Sequence, residues 1–419
     1  MAGRCRVSSF DVTPERCRWR CGGYPLIKNL AILFRDVGLY LLDRLFILLT
    51  PRPETQPQTL LVVRLDEIGD FVVWLNAAEG LRQRYPGWRI CLAANEIWAD
   101  LAGVVRSFDE VIPVRVRSLR VSPLYRYRLL QYVRRRGFHT VIHPVYFREK
   151  HFPDAEAIVR TCGAVERIGS TGNGFTWRSR VGSSTYTRRV DALPQPAGQL
   201  RQNAWFVREL GMTSFRAGLP RLPALDDVPD AFPGTAPYFV LLPGAGSPLR
   251  MWPLERFAKI ARRIHDRTGW VGVICGSSSE RALGEQLAVL AEKGLMNWAG
   301  RTTVKQLAGI ISSAKMVLGN ETSGIHLAAA RDVPAVCILG GGHFGHFVPY
   351  ELDDNTSSPG PSFAVHPMDC FRCNWKCIYP LNPGTPAPCI DAIQTDDVWA
   401  VVEGVLARVQ VGSGVRRDP

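Results

Sequence analysis

The chain has 419 residues, 46% of them hydrophobic and 21% charged, with a formal net charge of +13. That length exceeds one ordinary domain, so two are expected, and the balance of apolar and charged residues excludes disorder except at the ends. The positive excess implies an anionic partner: a membrane surface, a phosphorylated glycolipid, a nucleotide or a nucleic acid.

The first residues carry Arg4, Arg6, Arg16, Arg18 and Arg20 with no uninterrupted apolar core behind them, so no secretory signal is read. No apolar run reaches 18 residues, so no membrane-spanning helix is predicted. Residues 26–50 are strongly apolar, yet carry Lys28, Arg35, Asp36, Asp43 and Arg44 and stop at Pro51. They read either as an interfacial helix on an anionic bilayer or as helix packed on the protein's own core.

Residues 52–59 read as a polar, Pro-rich linker. Leu60–Val63 is a buried parallel strand, Arg64–Asp70 a turn, and Phe71–Arg84 a helix broken at Tyr85-Pro86; Arg89–Ala93 completes a βαβ unit. Val111-Ile112 and 140–142 are further short strands. Eight arginines lie between them, at 115, 117, 120, 126, 128, 134, 135 and 136. Prolines at 220, 223, 229, 233 and 237 mark a boundary. A second α/β series follows: strand Tyr238–Leu242, glycine-rich loop Pro243–Pro253, helix Leu254–Arg267, strand Val271–Cys275, a helix opened by Gly276–Glu280, helix Val304–Ser312, and strand Ala335–Leu339 before Gly340–Gly342. The organisation expected is an N-terminal basic, amphipathic segment (1–58), a first Rossmann-like domain (59–215), a Pro-rich linker (216–236) and a second Rossmann-like domain (237–410) that carries the cysteine cluster. That is an α/β chain with a cleft between two domains, and a polar tail after about Gln410.

Met316–Ala330 is the most informative stretch. An apolar strand ends at Leu318, a turn of small and polar residues follows, and an apolar helix begins near Gly324. Free backbone N–H groups and the positive end of the helix dipole make such a turn an anion site. Glu321 and His326 flank it; the plainer alternative is a helix cap at Thr322 or Ser323 with a packed histidine.

Seven of the eleven cysteines are scattered, as suits a reducing compartment. The other four, Cys370-x2-Cys373-x3-Cys377-x11-Cys389, have ligand-like spacing. A structural zinc site of four thiolates, an iron–sulfur cluster, and free or disulfide-bonded thiols all remain open.

Together, the first strand with Gly69-Asp70, Pro243-Gly-Ala-Gly through Trp252-Pro253, Ala299–Val304, and Gly319–Ala328 with Val333-Pro334 resemble glycosyltransferase family 9, the heptosyltransferases of lipopolysaccharide core assembly. The resemblance covers roughly residues 60–405. It implies a GT-B fold and inverting, metal-independent transfer of heptose or a related sugar from a nucleotide sugar, ADP-heptose, to an anionic glycolipid acceptor of lipopolysaccharide core type. It also implies a cytoplasmic enzyme, peripheral on the inner face of the inner membrane. No cofactor beyond the donor is required for catalysis.

Inverting transfer needs a base, and Asp70 matches the family's catalytic aspartate. Its alternative role is a helix cap; Asp66 and Glu67 are the runners-up as base. Arg250 stands where the family often has a phosphate-contacting lysine. Ser247 and the backbone of Gly244 and Gly246 could bind phosphate oxygens, as could Thr322, Ser323 and Gly324. Glycine at 244 and 246 could equally be plain turn geometry. Glu321 replaces the motif's usual aspartate and Ser323 its usual glycine, which opens the identity of the donor sugar. His326 could bind phosphate or orient the turn. Glu280 could accept ribose hydroxyls or serve its helix's first turn, and Thr302 could touch the nucleotide or cap the helix from Val304. The arginine-rich segment, with Arg148 and Lys150, would face the acceptor or form a solvated surface. The rival readings are a related transferase using another nucleotide sugar for a different surface glycan, and a non-catalytic membrane-associated GT-B module. No interleaved aromatic and basic motif specifies nucleic acid.

Overall fold

The computed structural model describes residues 24–51, 53–146, 152–171, 184–194, 197–234, 236–353 and 360–413, with side chains of the first helix from residue 35. Arg148, Lys150 and the N-terminal arginines lie outside the described residues.

Residues 1–51 form one unit and 52–419 another. In the first, α1 (Tyr24–Leu49) is a continuous helix, as the apolar stretch predicts. Leu41, Leu45, Leu48 and Leu49 on it are exposed. Among the described residues no helix is long and apolar enough to cross a membrane.

The second unit holds two six-stranded sheets, parallel throughout. The first runs β1 (Gln56–Arg64), β2 (Arg89–Asn95), β3 (Glu110–Val114), β4 (Phe138–His143), β5 (Glu166–Ser170) and β6 (Arg188–Val190), in spatial order 3-2-1-4-5-6. The second runs β7 (Tyr238–Leu242), β8 (Val271–Ile274), β9 (Leu295–Asn297), β10 (Val317–Asn320), β11 (Ala335–Ile338) and β12 (Ser362–Ala364), in order 12-11-10-7-8-9. Leu60–Val63 and Phe239–Leu241 are covered on both faces by helices, which is why each reads as an unbroken apolar run.

Each sheet reverses its winding direction at one point: between β1 and β4 in the first, between β7 and β10 in the second. Ligands of doubly wound sheets bind outside the strand ends at such a point. Here the two switch points open onto one cleft, so the loops after β1, β4, β7 and β10 all line it.

The helices used below are α2 (Ile68–Arg84), α3 (Ala99–Ala102), α4 (Val116–Val121), α5 (Pro123–Arg135), α6 (Phe152–Thr161), α7 (Gln199–Glu209), α8 (Leu254–Thr268), α9 (Arg281–Ala291), α10 (Val304–Ser313), α11 (Ser323–Ala330), α12 (Pro388–Asp391) and α13 (Thr395–Ser413). Two expectations change. The predicted linker 52–59 is shorter, because β1 already begins at Gln56 and pairs there with Phe138. The predicted polar tail is helical as far as Ser413, where α13 continues with Val398, Val402 and Val405 buried. The proline-rich stretch 216–234 carries no regular element, as its composition predicts. Its Leu222 N–H donates to Ala330 O at 2.9 Å, tying the crossing chain to the end of α11.

Candidate active site

The cleft encloses about 970 Å³. On the first sheet's side, the chain leaves β1 through Leu65–Glu67 and enters α2. Trp98 fixes this turn: its indole donates to Asp66 O at 2.9 Å and its ring stacks on Phe71 with centroids 4.3 Å apart. The buried Arg64 pairs with Asp66, and its guanidinium lies 4.7 Å from the Trp74 ring centroid.

Asp70 does not cap α2. The cap position is Glu67, whose side chain makes no capping bond, and Asp70 sits inside the first turn facing the cleft. Its carboxyl is pushed up to about 7. Burial is the main cause and Asp66 adds to it, while Arg64 opposes and Glu67 reinforces. A carboxyl near 7 is matched to taking a proton at neutral pH. Asp66, by contrast, is held in an ion pair with Arg64.

Opposite stands the α11 turn. Asn320, fully buried, accepts from Trp252 N–H at 3.1 Å and donates to Pro243 O at 2.7 Å. It thereby fastens the end of β10 to the loop after β7. Thr322 occupies the cap position of α11 without a side-chain capping bond, so the N–H groups of the first turn are not closed off by it. Gly324 must be glycine for a packing reason: a Cβ there would fall 2.3 Å from Leu242 Cδ1. Ser323 and His326 meet the other wall, since a Cβ on Gly69 would lie 3.7 Å from Ser323 Cα and 3.2 Å from His326 Cδ2. The two helix N-termini therefore converge on one place.

Glu321 is buried, and neither of its carboxyl oxygens has a hydrogen-bond partner among the described residues. Burial pushes it up to about 7, with Arg250 opposing. Arg250 Nη2 is 3.6 Å from Glu321 Oε2 and donates to Glu321 O at 2.6 Å. Its guanidinium lies 5.5 Å from the Trp375 ring centroid. A cation at the cleft wall, paired with an acid whose carboxyl oxygens accept no hydrogen bond among the described residues, suits a phosphorylated, hydroxyl-bearing ligand.

His326 is buried; its Nδ1 shares a 2.9 Å hydrogen bond with the Tyr350 hydroxyl, and burial pulls its pKa down to about 4, with Arg250 adding to the fall. A neutral ring packed against Gly69 orients the turn, which favours the second of the two roles read for it.

The glycine-rich loop behaves differently at its two glycines. A Cβ on Gly244 would collide with Glu280 Oε1 at 1.7 Å, whereas one on Gly246 would meet nothing within 4 Å. Neither has a positive φ, so turn geometry is not what requires them. Glu280 accepts from Ser277 N–H at 2.6 Å and Ser277 Oγ at 2.8 Å, forming a capping box at the entry to α9. Its first-turn role is thus real, although it still lines the cleft. Ser247 caps a short 3₁₀ turn, accepting from Leu249 N–H at 3.4 Å. The cap of α10 is Thr303, not Thr302: Thr303 Oγ1 accepts from Gln306 N–H at 3.2 Å, and Gln306 Oε1 accepts in return at 3.0 Å. Thr302 is left lining the cleft.

Several cleft residues escape a reading by motif. His143 ends β4 and Tyr146 follows it, and His343, Asn374 and Trp375 form one wall. His343 Nε2 and Asn374 Oδ1 are 3.0 Å apart. The signal for His343 was visible, since Gly340–Gly342 follows a strand as Gly244–Gly246 does. Trp375 could not have been found, because it depends on a loop folding back: Cβ atoms on Gly340 and Gly342 would meet its ring at 2.6 and 2.4 Å.

That loop carries the cysteines. Cys370, Cys373, Cys377 and Cys389 are free; Cys389 accepts from Gly341 N–H at 3.4 Å. Burial raises the Cys389 thiol, and Cys370, Cys373 and Cys377 raise it further, so the four stand near one another. Among the described residues, however, no three His, Cys, Asp or Glu side chains are grouped so as to hold a metal ion.

The arginine-rich segment divides. Arg126 and Arg134 are buried and donate to Leu119 O and Thr161 O, Arg120 bonds Asp154, and Arg136 bonds Glu110. Arg120, Arg126 and Arg134 hold α4, α5 and α6 together, and Arg136 ties the end of α5 to β3, instead of facing a ligand.

Comparison with known proteins agrees with this geometry. The model of "Glycosyltransferase family 9 (heptosyltransferase)" matches residues 158–361. Lipopolysaccharide heptosyltransferase 1 of Pseudomonas aeruginosa is 27% identical over 298 residues, which is 67% of this chain and 78% of the relative. The structure of the E. coli ADP-heptose lipopolysaccharide heptosyltransferase II superposes with a TM-score of 0.63 at 17% identity, covering 84% of this chain and 99% of that one. The E. coli heptosyltransferase WaaC with ADP-2-deoxy-2-fluoro heptose does so at 0.59 and 18%, covering 83% and 99%. The facing sheets are those of a GT-B fold, and the family-model match together with the heptosyltransferase relatives supports placing the chain with glycosyltransferase family 9, as a glycosyltransferase.

Proposed function

We propose that the protein moves heptose from ADP-heptose to an anionic glycolipid acceptor of lipopolysaccharide core type, by an inverting, metal-independent displacement. Asp70 takes the proton of the acceptor hydroxyl. The oxygen attacks the anomeric carbon, whose bond to the diphosphate breaks, and the nucleoside diphosphate leaves with the electron pair. Arg250, the backbone N–H groups of Gly244 and Gly246 and the first turn of α11 (Thr322, Ser323, Gly324) stabilise the leaving phosphates. Glu321 accepts from donor-sugar hydroxyls, and Thr302 and Glu280 adjoin the nucleoside. The observation carrying this reading is the convergence of two helix N-termini across one cleft, one bearing a carboxyl near 7 and the other lacking a side-chain cap.

A second reading, another nucleotide sugar for a different surface glycan, is favoured by Glu321, whose longer unpartnered carboxyl replaces the aspartate of the motif. Thermal-shift measurements against ADP, UDP, GDP and CMP and their sugars separate the two, because a ligand of the folded state alone raises the midpoint. A rise confined to ADP and ADP-heptose is expected. A rise with another nucleotide discards heptose, and no rise with any discards the donor site.

The expected location is cytoplasmic, peripheral on an anionic membrane, with α1 as a candidate contact. A structural zinc ion held by Cys370, Cys373, Cys377 and Cys389 is proposed on their spacing alone; no step of the reaction passes through it.

A further inference from the structure

Removing the structural arginines from the segment 115–136 leaves a surface with a definite character. Arg117, Arg128 and Arg135 are exposed and have no hydrogen-bond or ion-pair partner among the described residues. On the same outward arc of α5 stand Leu124, 58% exposed, and Tyr127, 46% exposed; Val121, at the end of α4 and one turn on from Arg117, is 69% exposed. The opposite arc, Leu129, Leu130 and Val133, is buried. No aspartate or glutamate occurs from Arg115 to Arg136. Acids on neighbouring elements are already engaged: Asp154 with Arg120, and Glu110 with Arg136 and Arg89.

We propose that the α4–α5 hairpin is a docking surface for an anionic lipid bilayer. Large apolar and aromatic side chains beside unpaired arginines are what the interfacial region accepts. The rings and aliphatic groups enter the headgroup boundary, while guanidinium groups on long stems meet phosphate.

The position adds a reason. β3 runs toward the cleft edge of its sheet, and α4 begins two residues after it ends; α5 then runs back away. Val121 and Leu124 therefore stand at the cleft edge, so a bilayer held there presents its headgroups beside the mouth of the cleft. The hairpin is fixed for this purpose, with Arg126 donating from α5 to Leu119 O of α4 at 3.1 Å and Arg115 N–H donating to the Tyr125 hydroxyl at 2.9 Å. The docking surface does not depend on which sugar or acceptor the enzyme uses.

The test uses the full chain and vesicles containing no glycolipid: equal parts phosphatidylglycerol and phosphatidylcholine, against phosphatidylcholine alone. Cosedimentation with the anionic vesicles only, weakened by salt, is expected. Each of Arg117→Gln, Arg128→Gln and Arg135→Gln should lower partitioning about fivefold, and the triple variant on the order of a hundredfold. Leu124→Ser with Tyr127→Ser should abolish the part that survives high salt. The nucleotide-induced rise in melting temperature should be unchanged in every variant, which separates lost docking from lost folding. Binding undiminished in these variants but lost on Leu41→Asp, Leu45→Asp and Leu48→Asp in α1 would overturn the proposal. Tyr125-Arg126-Tyr127-Arg128 also interleaves aromatic and basic residues, which the sequence reading passes over. Single-stranded oligonucleotide that binds this face more tightly than anionic vesicles would overturn it as well.

Discussion

Replacing Asp70 by asparagine keeps the shape of the side chain and removes the charge. If Asp70 is the base, kcat falls by about 10² to 10⁴-fold while donor KM stays near its parental value. The same substitution makes a thermodynamic prediction that does not depend on activity. The carboxyl titrates at about 7 in the folded protein against 3.8 as its ordinary value. At 1.36 kcal/mol per unit the difference is about 4 kcal/mol, a ceiling because the carboxyl reaches the water of the cleft. The folded pKa is raised, so the contribution to stability is complete below about pH 4 and is lost as pH rises toward 7. The amide of the Asp70→Asn variant does not titrate in this range. The variant should therefore gain on the parent by about 1.5 kcal/mol near pH 5 and by up to about 4 kcal/mol above pH 7, with the gap flat beyond that. Denaturant midpoints of both proteins between about pH 5 and pH 8 measure it. Parallel profiles, with no widening gap, would refute a desolvated carboxyl at this position; retained transfer would refute the base.

Substitutions at four further positions separate binding from architecture. Thr303→Val should lose about 1 kcal/mol of stability with donor KM little changed, whereas Thr302→Val should do the reverse; equal behaviour of the two would refute the distinction. Arg250→Ala should raise donor KM roughly ten- to a hundredfold, since a charge-assisted contact is lost and Glu321 is left buried without its cation. Trp375→Ala should raise it about fivefold by releasing the Arg250 guanidinium, and Trp375→Phe should restore most of that; unaltered KM in both would show the stacking to be idle. Metal analysis of the purified protein tests the zinc proposed on cysteine spacing: one per chain, lost in Cys370→Ser with Cys373→Ser, would carry it, and none would agree with the structure, where no three ligating side chains among the described residues are grouped to hold a metal ion.

The parts of the fold legible beforehand were those whose residues are buried on both faces. β1, β2, β7, β10 and β11 declare themselves as short apolar runs followed by small polar turns. β6, β9 and β12 have only three residues each and were missed, since so short a run at a sheet edge carries no periodicity. In the site, the strand-to-helix turns read from the sequence put Asp70, Arg250, Glu321 and Thr322 on the lining of one cleft. Which of two adjacent threonines caps α10, and that Glu280 reaches back over Gly244, depend on side-chain reach, which neighbouring letters do not encode. Arginines 120, 126, 134 and 136 look identical in sequence to Arg117 and Arg128, and only packing separates the ones inside from the ones outside.

A side chain on Gly69 would meet Ser323 Cα at 3.7 Å and His326 Cδ2 at 3.2 Å, and the next residue is Asp70. In the proposed mechanism the distance from the base to the phosphate cradle is thus gauged at a close approach one peptide unit away. Rotation of one sheet against the other would swing the carboxyl and its target apart without any long side chain to span the gap. With Asp70 as the proposed base, proton removal would then require the two sheets in this register, and a donor bound with the sheets rotated apart would face no correctly aimed base.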